Sequence, residues 1–298
     1  MQSKRVISLM IIAIIAIGTV MVLSGCTSPT PTAAPSAAPT STPSPAPQTM
    51  ILSTTTSMRD SGLLNVLLPE FEAANNVKVN VLAQGSGAAL KLGETGDCDV
   101  LIAHSPAAET TFVNNGFGWN RTQFAHNWFV IVGPTSDPAG IKNMTNATMA
   151  FKQIYDNKSA FLGRGDSSGT ASKELTLWNG TGYASPDNKS MTWYRSTGQG
   201  MLQTLQAASQ LGGYTLSDKS TFLQNQKNLT GLAILVDATP DMINKYSVIE
   251  VNATRNPNVK YDLVHKFLEF MISNATQQKI SQYGVSTVGE PLFVADKL

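Results

Sequence analysis

Apolar and polar positions recur with two different periods from residue 50 onward, and each change of period marks a new element. Met50–Ser53 is a short apolar run, and Val77–Leu82 alternates with a period of two, as a half-buried strand does. Between them, from Gly62, Leu63, Leu64, Leu67, Leu68 and Phe71 fall at helical spacing. A helix opens at Ser86 and runs through Leu90 and Leu92. Val100–Ala103 reads as a buried strand, Pro106–Val113 as a helix, and Trp128–Val132 as a strand stopped by Gly133-Pro134. A second set follows, with helices near Met149–Tyr155, Gly169–Trp178 and Met201–Ala208, and strands at Phe161–Leu162, Ala233–Val236 and Ser247–Val251. Tyr261–Ile272 places Val264, Phe267, Leu268, Met271 and Ile272 on one helix face. The alternation predicts an α/β fold of two lobes, each a mixed, mostly parallel sheet flanked by helices.

The first 49 residues follow neither period. Lys4 and Arg5 precede an apolar stretch from Val6 to Leu23, closed by Leu23-Ser24-Gly25-Cys26. This resembles a lipoprotein signal peptide, residues 1–26, cut before a Cys26 that becomes lipidated; an uncleaved amino-terminal anchor is the alternative. Residues 27–49 are Thr, Ser, Pro and Ala with one Gln, which build no core and stay extended as a tether. Both readings put the body outside the cytoplasmic membrane, anchored to its outer face. Asn-x-Ser/Thr sequons at Asn120, Asn143, Asn146, Asn157, Asn179, Asn188, Asn228, Asn252 and Asn274 suit a glycosylated cell surface, although an Asn- and Thr-rich composition also yields them.

Composition narrows the chemistry. The 298 residues are 42% hydrophobic and 14% charged, with 21 basic and 20 acidic side chains. That balance carries no footprint for nucleic acid. Loss of Lys4 and Arg5 would leave 19 basic against 20 acidic groups, so any anion is held by local design. His104, His126 and His265 lie far apart without metal-ligand spacing, and Cys98 has no partner once Cys26 is set aside. No cofactor and no metal ligand set is expected, and the body is expected to be monomeric.

In open α/β sheets, ligands sit where strands hand over to helices. Three such junctions here are rich in hydroxyls: Ser53-Thr54-Thr55-Thr56-Ser57, Gln84-Gly85-Ser86-Gly87, and Gly163-Arg164-Gly165-Asp166-Ser167-Ser168-Gly169-Thr170. Each offers backbone N–H groups, side-chain donors and the positive end of a helix, which together suit a small tetrahedral oxyanion. Singly, each is also an ordinary helix cap.

These same segments resemble the tungstate-binding proteins of ABC transporters. Ser53–Ser57 with Ser61-Gly62-Leu63-Leu64 is similar to that family's Thr-Thr-Thr-Ser opening. Gly87 to Val100 resembles its Gly-x-Ala-Leu-x-x-Gly-x-x-Gly-Asp-x-Asp-Val segment, and Arg164 to Thr170 its Arg-Gly-Asp-Asp-Ser-Gly-Thr loop. Lys173-Glu174-Leu175 with Trp178, Trp193-Tyr194 with Gly198-Gln199-Gly200-Met201, and Thr254 to Pro257 continue the likeness over 50–298. Ser167 stands where the family has a second acid, and Ala171 where a His often follows.

The resemblance implies a periplasmic-binding-protein type II fold with the ligand in an interlobe cleft. It implies lobe 1 at 50–132 plus 248–298 and lobe 2 at 133–247. Thr55, Thr56, Ser57 and Ser86 would bind the oxyanion from one lobe, and Arg164, Ser168 and Thr170 from the other. Tungsten would be held as its oxyanion, not by direct coordination. The implied function is capture of tungstate and delivery to an ABC permease with its ATPase; the alternative is molybdate or another tetrahedral oxyanion. A reading from another class is a serine hydrolase, since Gly165-Asp166-Ser167-Ser168-Gly169 fits the Gly-x-Ser-x-Gly elbow, but the only later histidine, His265, falls inside a helix. Arg164-Gly165-Asp166 also spells an adhesion tripeptide, which burial in a cleft would silence.

Overall fold

The computed structural model describes residues 46–187 and 189–298; the signal sequence with Cys26, most of the tether and the sequon at Asn188 lie outside them. Residues 46–298 form one compact unit.

The chain order begins β1 (Gln48–Thr55), α1 (Thr56–Asp60), α2 (Leu63–Asn75), β2 (Val77–Gln84), α3 (Ser86–Thr95), β3 (Val100–Ala103), α4 (Pro106–Asn114) and β4 (Gly118–Pro134). It continues α5 (Ala147–Asp156), β5 (Phe161–Gly163), α6 (Gly169–Gly180), β6 (Tyr194–Ser196), α7 (Met201–Leu211), β7 (Thr215–Asp218), α8 (Lys219–Asn225) and β8 (Leu232–Val236). It closes with β9 (Ile243–Val251), α9 (Tyr261–Ile272), α10 (Asn274–Gln282), α11 (Val285–Val288) and β10 (Val294–Ala295).

The main sheet runs β10-β4-β9-β3-β1-β2, with β7 and β8 also paired to β4. It is mixed, but not mostly parallel: β1 pairs in parallel with β2 and β3, whereas every pairing of β4 and β9 is antiparallel, and β5 and β6 form a separate two-stranded parallel sheet. The cause is the two crossing strands. β4 pairs with β9 through residues 118–128 and with β7 and β8 through 129–134, so one strand serves both halves. Sequence periodicity shows only its apolar end, because Asn120 has a positive φ and the register shifts between Trp119 and Thr122 and again between Gln123 and Ala125.

Apolar burial is divided accordingly. One core gathers Leu52, Leu67, Phe71, Leu101 and Phe124 with Ile249 and Phe267 from the chain's end. Two further clusters, around Phe151, Phe161 and Trp178 and around Val132, Met201 and Phe222, come wholly from the middle of the chain. The fold is two-lobed, with β4 and β9 passing between.

Candidate functional site

Four strand-to-helix turns meet between the lobes. β1 runs directly into α1 at Thr55, whose Oγ1 accepts from the Met58 N–H at 3.2 Å as the helix N-cap. β2 ends at Gln84 and α3 starts at Ser86 behind Gly85. β5 ends at Gly163, and Arg164 to Ser168 lead into α6, where Ser168 Oγ accepts from Ala171 N–H at 3.1 Å. The fourth turn, β6 to α7, carries the Trp193-Tyr194 and Gly198-Gln199-Gly200-Met201 block. Gly200 precedes α7, and the Met201 N–H donates to Thr56 Oγ1 at 3.3 Å.

The turns touch through bare backbone. Gly87 N–H donates to the Ser167 carbonyl at 2.8 Å. A Cβ on Gly85 would lie 3.2 Å from Asp166 Oδ2, and one on Gly169 only 2.6 Å from the His104 carbonyl. Gly165 has φ +61 and leaves no room for a side chain beside Ser196.

All seven residues expected at the site are buried: Thr55, Thr56, Ser57, Ser86, Arg164, Ser168 and Thr170. They differ in what their polar atoms do. Thr55 and Ser168 are caps, Thr56 receives the α7 N–H, and Ser57 Oγ lies 3.1 Å from Thr55 Oγ1 and 3.0 Å from His104 Nε2. Arg164 Nη2 donates to Asp166 Oδ2 at 2.6 Å. Four donor atoms have no partner in the protein: Ser86 Oγ, Thr170 Oγ1, Arg164 Nε and Arg164 Nη1. Among the described residues seven buried side-chain atoms are in that condition, so more than half sit on three of the expected site residues. Buried donors left without acceptors cost about 1–3 kcal/mol each, more when charged, so their clustering marks a place built for an acceptor from outside. Burial lowers the Arg164 pKa, while Asp166 and then Asp60 pull it back up. The guanidinium stays charged, with two of its three nitrogens uncommitted.

Beneath the site lies a polar network that sequence periodicity does not reveal. His104 Nδ1 meets Asn244 Oδ1 at 2.8 Å, and Asn244, Asn127 and Tyr246 all donate to Asp218. Glu174, on α6, accepts from Tyr194 OH at 2.9 Å and Trp178 Nε1 at 3.1 Å, and it braces the Arg164 backbone from behind. Burial raises its carboxyl to a pKa of about 7. A cavity of about 670 Å³ lined by Pro186, Tyr194 and Ser196, and by none of the seven expected residues, is far larger than a tetrahedral oxyanion needs.

The hydrolase arrangement is not assembled: Ser167 is exposed and packs against Gly87, while His265 Nδ1 pairs with Glu250 at 2.9 Å. Among the sequons, Asn252 is buried with Nδ2 donating to the Gly116 carbonyl at 2.8 Å, which removes it as an acceptor for sugar. The other described sequon asparagines are exposed.

Known proteins share this architecture. Residues 34–275 match the model of the PBP superfamily domain. A putative ABC transporter anion-binding protein of Haloferax volcanii is 41% identical over 293 residues, 95% of this chain and 84% of that one. The tungstate-binding protein TupA of Peptoclostridium acidaminophilum is 40% identical over 246 residues, 82% of this chain and 84% of its own. The crystal structure described as the tungstate ABC transporter from Geobacter sulfurreducens superposes with a TM-score of 0.72 at 44% identity, covering 79% of this chain and 98% of that one. With a superfamily match over most of its length and relatives this close, the chain belongs to the PBP superfamily and, within it, to the tungstate-binding proteins of ABC transporters.

Proposed function

We propose that this chain is an extracytoplasmic solute-binding protein that captures tungstate between its lobes and delivers it to an ABC permease. The observation that carries the reading is the set of four unpartnered buried donors on Ser86, Thr170 and Arg164, drawn from both sides of the cleft. If each makes a bond worth about 1–3 kcal/mol, they supply roughly 4–12 kcal/mol, against association costs of about 4–15 kcal/mol that backbone N–H groups at the helix starts help to meet. An anion that completes these donors ties α3 to the Arg164 loop and so favours the closed lobes, the state a permease can recognise.

The binding set is proposed as Thr55, Thr56, Ser57 and Ser86 with Arg164, Ser168 and Thr170. The lobes are proposed as 50–132 plus 248–298 and 133–247; the separate cores support two lobes, and they put the change-over along β4 earlier, between Ala125 and Phe129. Anchoring through Cys26 is proposed on the Leu-Ser-Gly-Cys segment alone. Cys26→Ser is expected to release the protein from membranes or leave an uncleaved precursor.

Tungstate and molybdate are near-identical in size and larger than sulfate, so fixed donors exclude the smaller ion by leaving some bonds unmade. The choice of tungstate over molybdate follows the relatives. Calorimetric titration with tungstate, molybdate, sulfate and phosphate tests the proposal. Tungstate is expected to bind far more tightly than sulfate or phosphate, and equal competition by either would overturn it.

A further inference from the structure

Ser57 stands at one end of a buried hydrogen-bond chain whose direction is set at the other end by a carboxylate. Asp218 is wholly buried and accepts from Asn127 Nδ2 at 2.9 Å, Asn244 Nδ2 at 2.8 Å, Tyr246 OH at 2.6 Å and the Thr221 N–H at 2.9 Å. With N–H and O–H donors converging on it, Asp218 acts as the acceptor, so Asn244 turns its NH₂ toward Asp218 and its Oδ1 toward His104. An amide oxygen also only accepts, so the His104 proton sits on Nδ1, 2.8 Å from Asn244 Oδ1. Nε2 of the neutral ring then offers a lone pair, and the Ser57 hydroxyl at 3.0 Å donates to it, with Tyr246 OH the competing acceptor beside it. With its one proton spent on His104, Ser57 presents only lone pairs to its other neighbours, Thr55 Oγ1 among them. A dianion arriving at the start of α1 would meet an oxygen and not a donor.

Resting on the oxyanion reading of the cleft, we propose that His104 is a positioning residue for the anion site. A fully deprotonated oxyanion gains the Ser57 hydroxyl as a donor only when His104 takes up a proton on Nε2. The balance is simple: one proton passes from solvent to Nε2, the new N–H donates to Ser57 Oγ, and the Ser57 O–H swings to the anion. No other bond changes.

The surroundings support the coupling. Burial holds the ring neutral when the cleft is in its free electrostatic state, with a pKa near 4; Asp218 and the Asn244 bond oppose that, while Arg164 adds to it and Asp166 counters Arg164. Tyr246 packs on the ring from β9, Phe129 from β4 and Ser57 from α1, and Lys245 and Lys173 line the pocket that reaches it. A bound dianion neutralises Arg164, which removes the nearby cation that disfavours imidazolium. Binding and protonation therefore reinforce each other. A solvent-open pocket of about 220 Å³ lined by Ser105, Lys173 and Lys245 reaches His104 and gives the proton a route.

Two measurements on the whole protein decide the matter. Long-range ¹H–¹⁵N spectra of the ligand-free protein are expected to show His104 protonated on Nδ1 and bare on Nε2; the opposite tautomer overturns the proposal without any ligand being added. Calorimetry with micromolar tungstate, in buffers of different ionisation enthalpy, is expected to show proton uptake on binding. Affinity is then expected to rise at least about threefold from pH 8 to pH 6, within the limit of about tenfold per pH unit that one linked proton sets. His104→Gln is expected to flatten that profile to within about twofold. Tungstate binding with no proton uptake and a flat wild-type profile overturns the linkage while leaving the ligand assignment intact. Absence of tungstate binding at every pH overturns the ligand assignment instead, and with it the linkage, while the tautomer remains readable.

Discussion

Arg164 gives one N–H to Asp166 Oδ2 at 2.6 Å and holds Nε and Nη1 buried with no protein acceptor. A purely structural arginine would spend its donors on the loop it braces. This one is held by Asp166 through Nη2 so that Nε and Nη1 stay free to give charge-assisted bonds to an oxyanion. Arg164→Ala is expected to weaken tungstate binding by about 2–5 kcal/mol, roughly 30- to 5,000-fold. It should also lower the melting temperature, because Asp166 loses its partner. Arg164→Lys should recover only part of the affinity, since a point charge cannot reproduce the fork. A melting-temperature loss with affinity kept within about threefold would reduce Arg164 to a brace.

Closure depends on glycine at a specific contact. A Cβ on Gly87 would sit 2.9 Å from both Ser167 Cβ and the Ser167 carbonyl oxygen, where the α3 turn meets the Arg164 loop. Gly87→Ala leaves every candidate donor in place but crowds the closed lobes, an overpacking cost of about 1–3 kcal/mol. Tungstate affinity should fall about 5- to 150-fold while the secondary structure of the free protein is unchanged. Small-angle scattering should show a larger free-state radius than wild type.

The sequence carried more of the site than of the sheet. Thr55 and Ser168 are legible because helix caps are local chemistry, written within three or four residues of the turn they serve, and Ser86 because it opens α3 directly behind Gly85. Tyr261–Ile272 was legible because its apolar face is buried against a single core. The crossing strands were hidden for opposite reasons: β4 is bulged and carries polar residues along half its length, and β9 has as its second residue Asn244, a buried amide that looks exposed until Asp218 is brought to it. Asp218 and Asn244 are 26 residues apart, and His104 joins them from 140 residues away. Neither period nor spacing can register a network closed over such distances.

Two buried groups should oppose each other in the pH dependence of stability. Glu174 is pushed up to about 7 from the usual 4.5, chiefly by burial; the folded state then keeps a proton that the unfolded chain releases, so its contribution is full below pH 4.5 and is lost as pH rises toward 7. His104 is pushed down to about 4 from 6.5, again chiefly by burial, so its contribution is present above pH 6.5 and is lost as pH falls toward 4. Between about pH 4.5 and 6.5 the two slopes run against each other. Glu174→Gln keeps an acceptor for Tyr194 and Trp178 but no longer titrates, so only the His104 slope remains. Thermal melts from pH 4.5 to 8 should show the variant gaining stability relative to wild type as pH rises. A pair of parallel profiles would mean that Glu174 does not titrate in this window.

The unpartnered hydroxyls and the capping hydroxyls should respond to removal in opposite ways. Ser86 Oγ and Thr170 Oγ1 contribute nothing to the free protein that would offset the cost of burying them. Ser86→Ala and Thr170→Val should therefore leave the melting temperature unchanged or raised, while weakening tungstate by about 1–3 kcal/mol each, or roughly 5- to 150-fold. Thr55 and Ser168 each satisfy a backbone N–H at the first turn of a helix, from Met58 and Ala171. Thr55→Ala and Ser168→Ala should cost about 0.5–2 kcal/mol of stability before any ligand is added. Valine at position 170 keeps the shape of threonine, so a void cannot account for a loss of binding there. Melting and titration of the same four variants separate the classes. If Ser86→Ala and Thr170→Val destabilise the free protein and bind tungstate as wild type does, their hydroxyls serve the fold, and the anion must be held by Arg164, backbone N–H groups and the remaining hydroxyls of the proposed set.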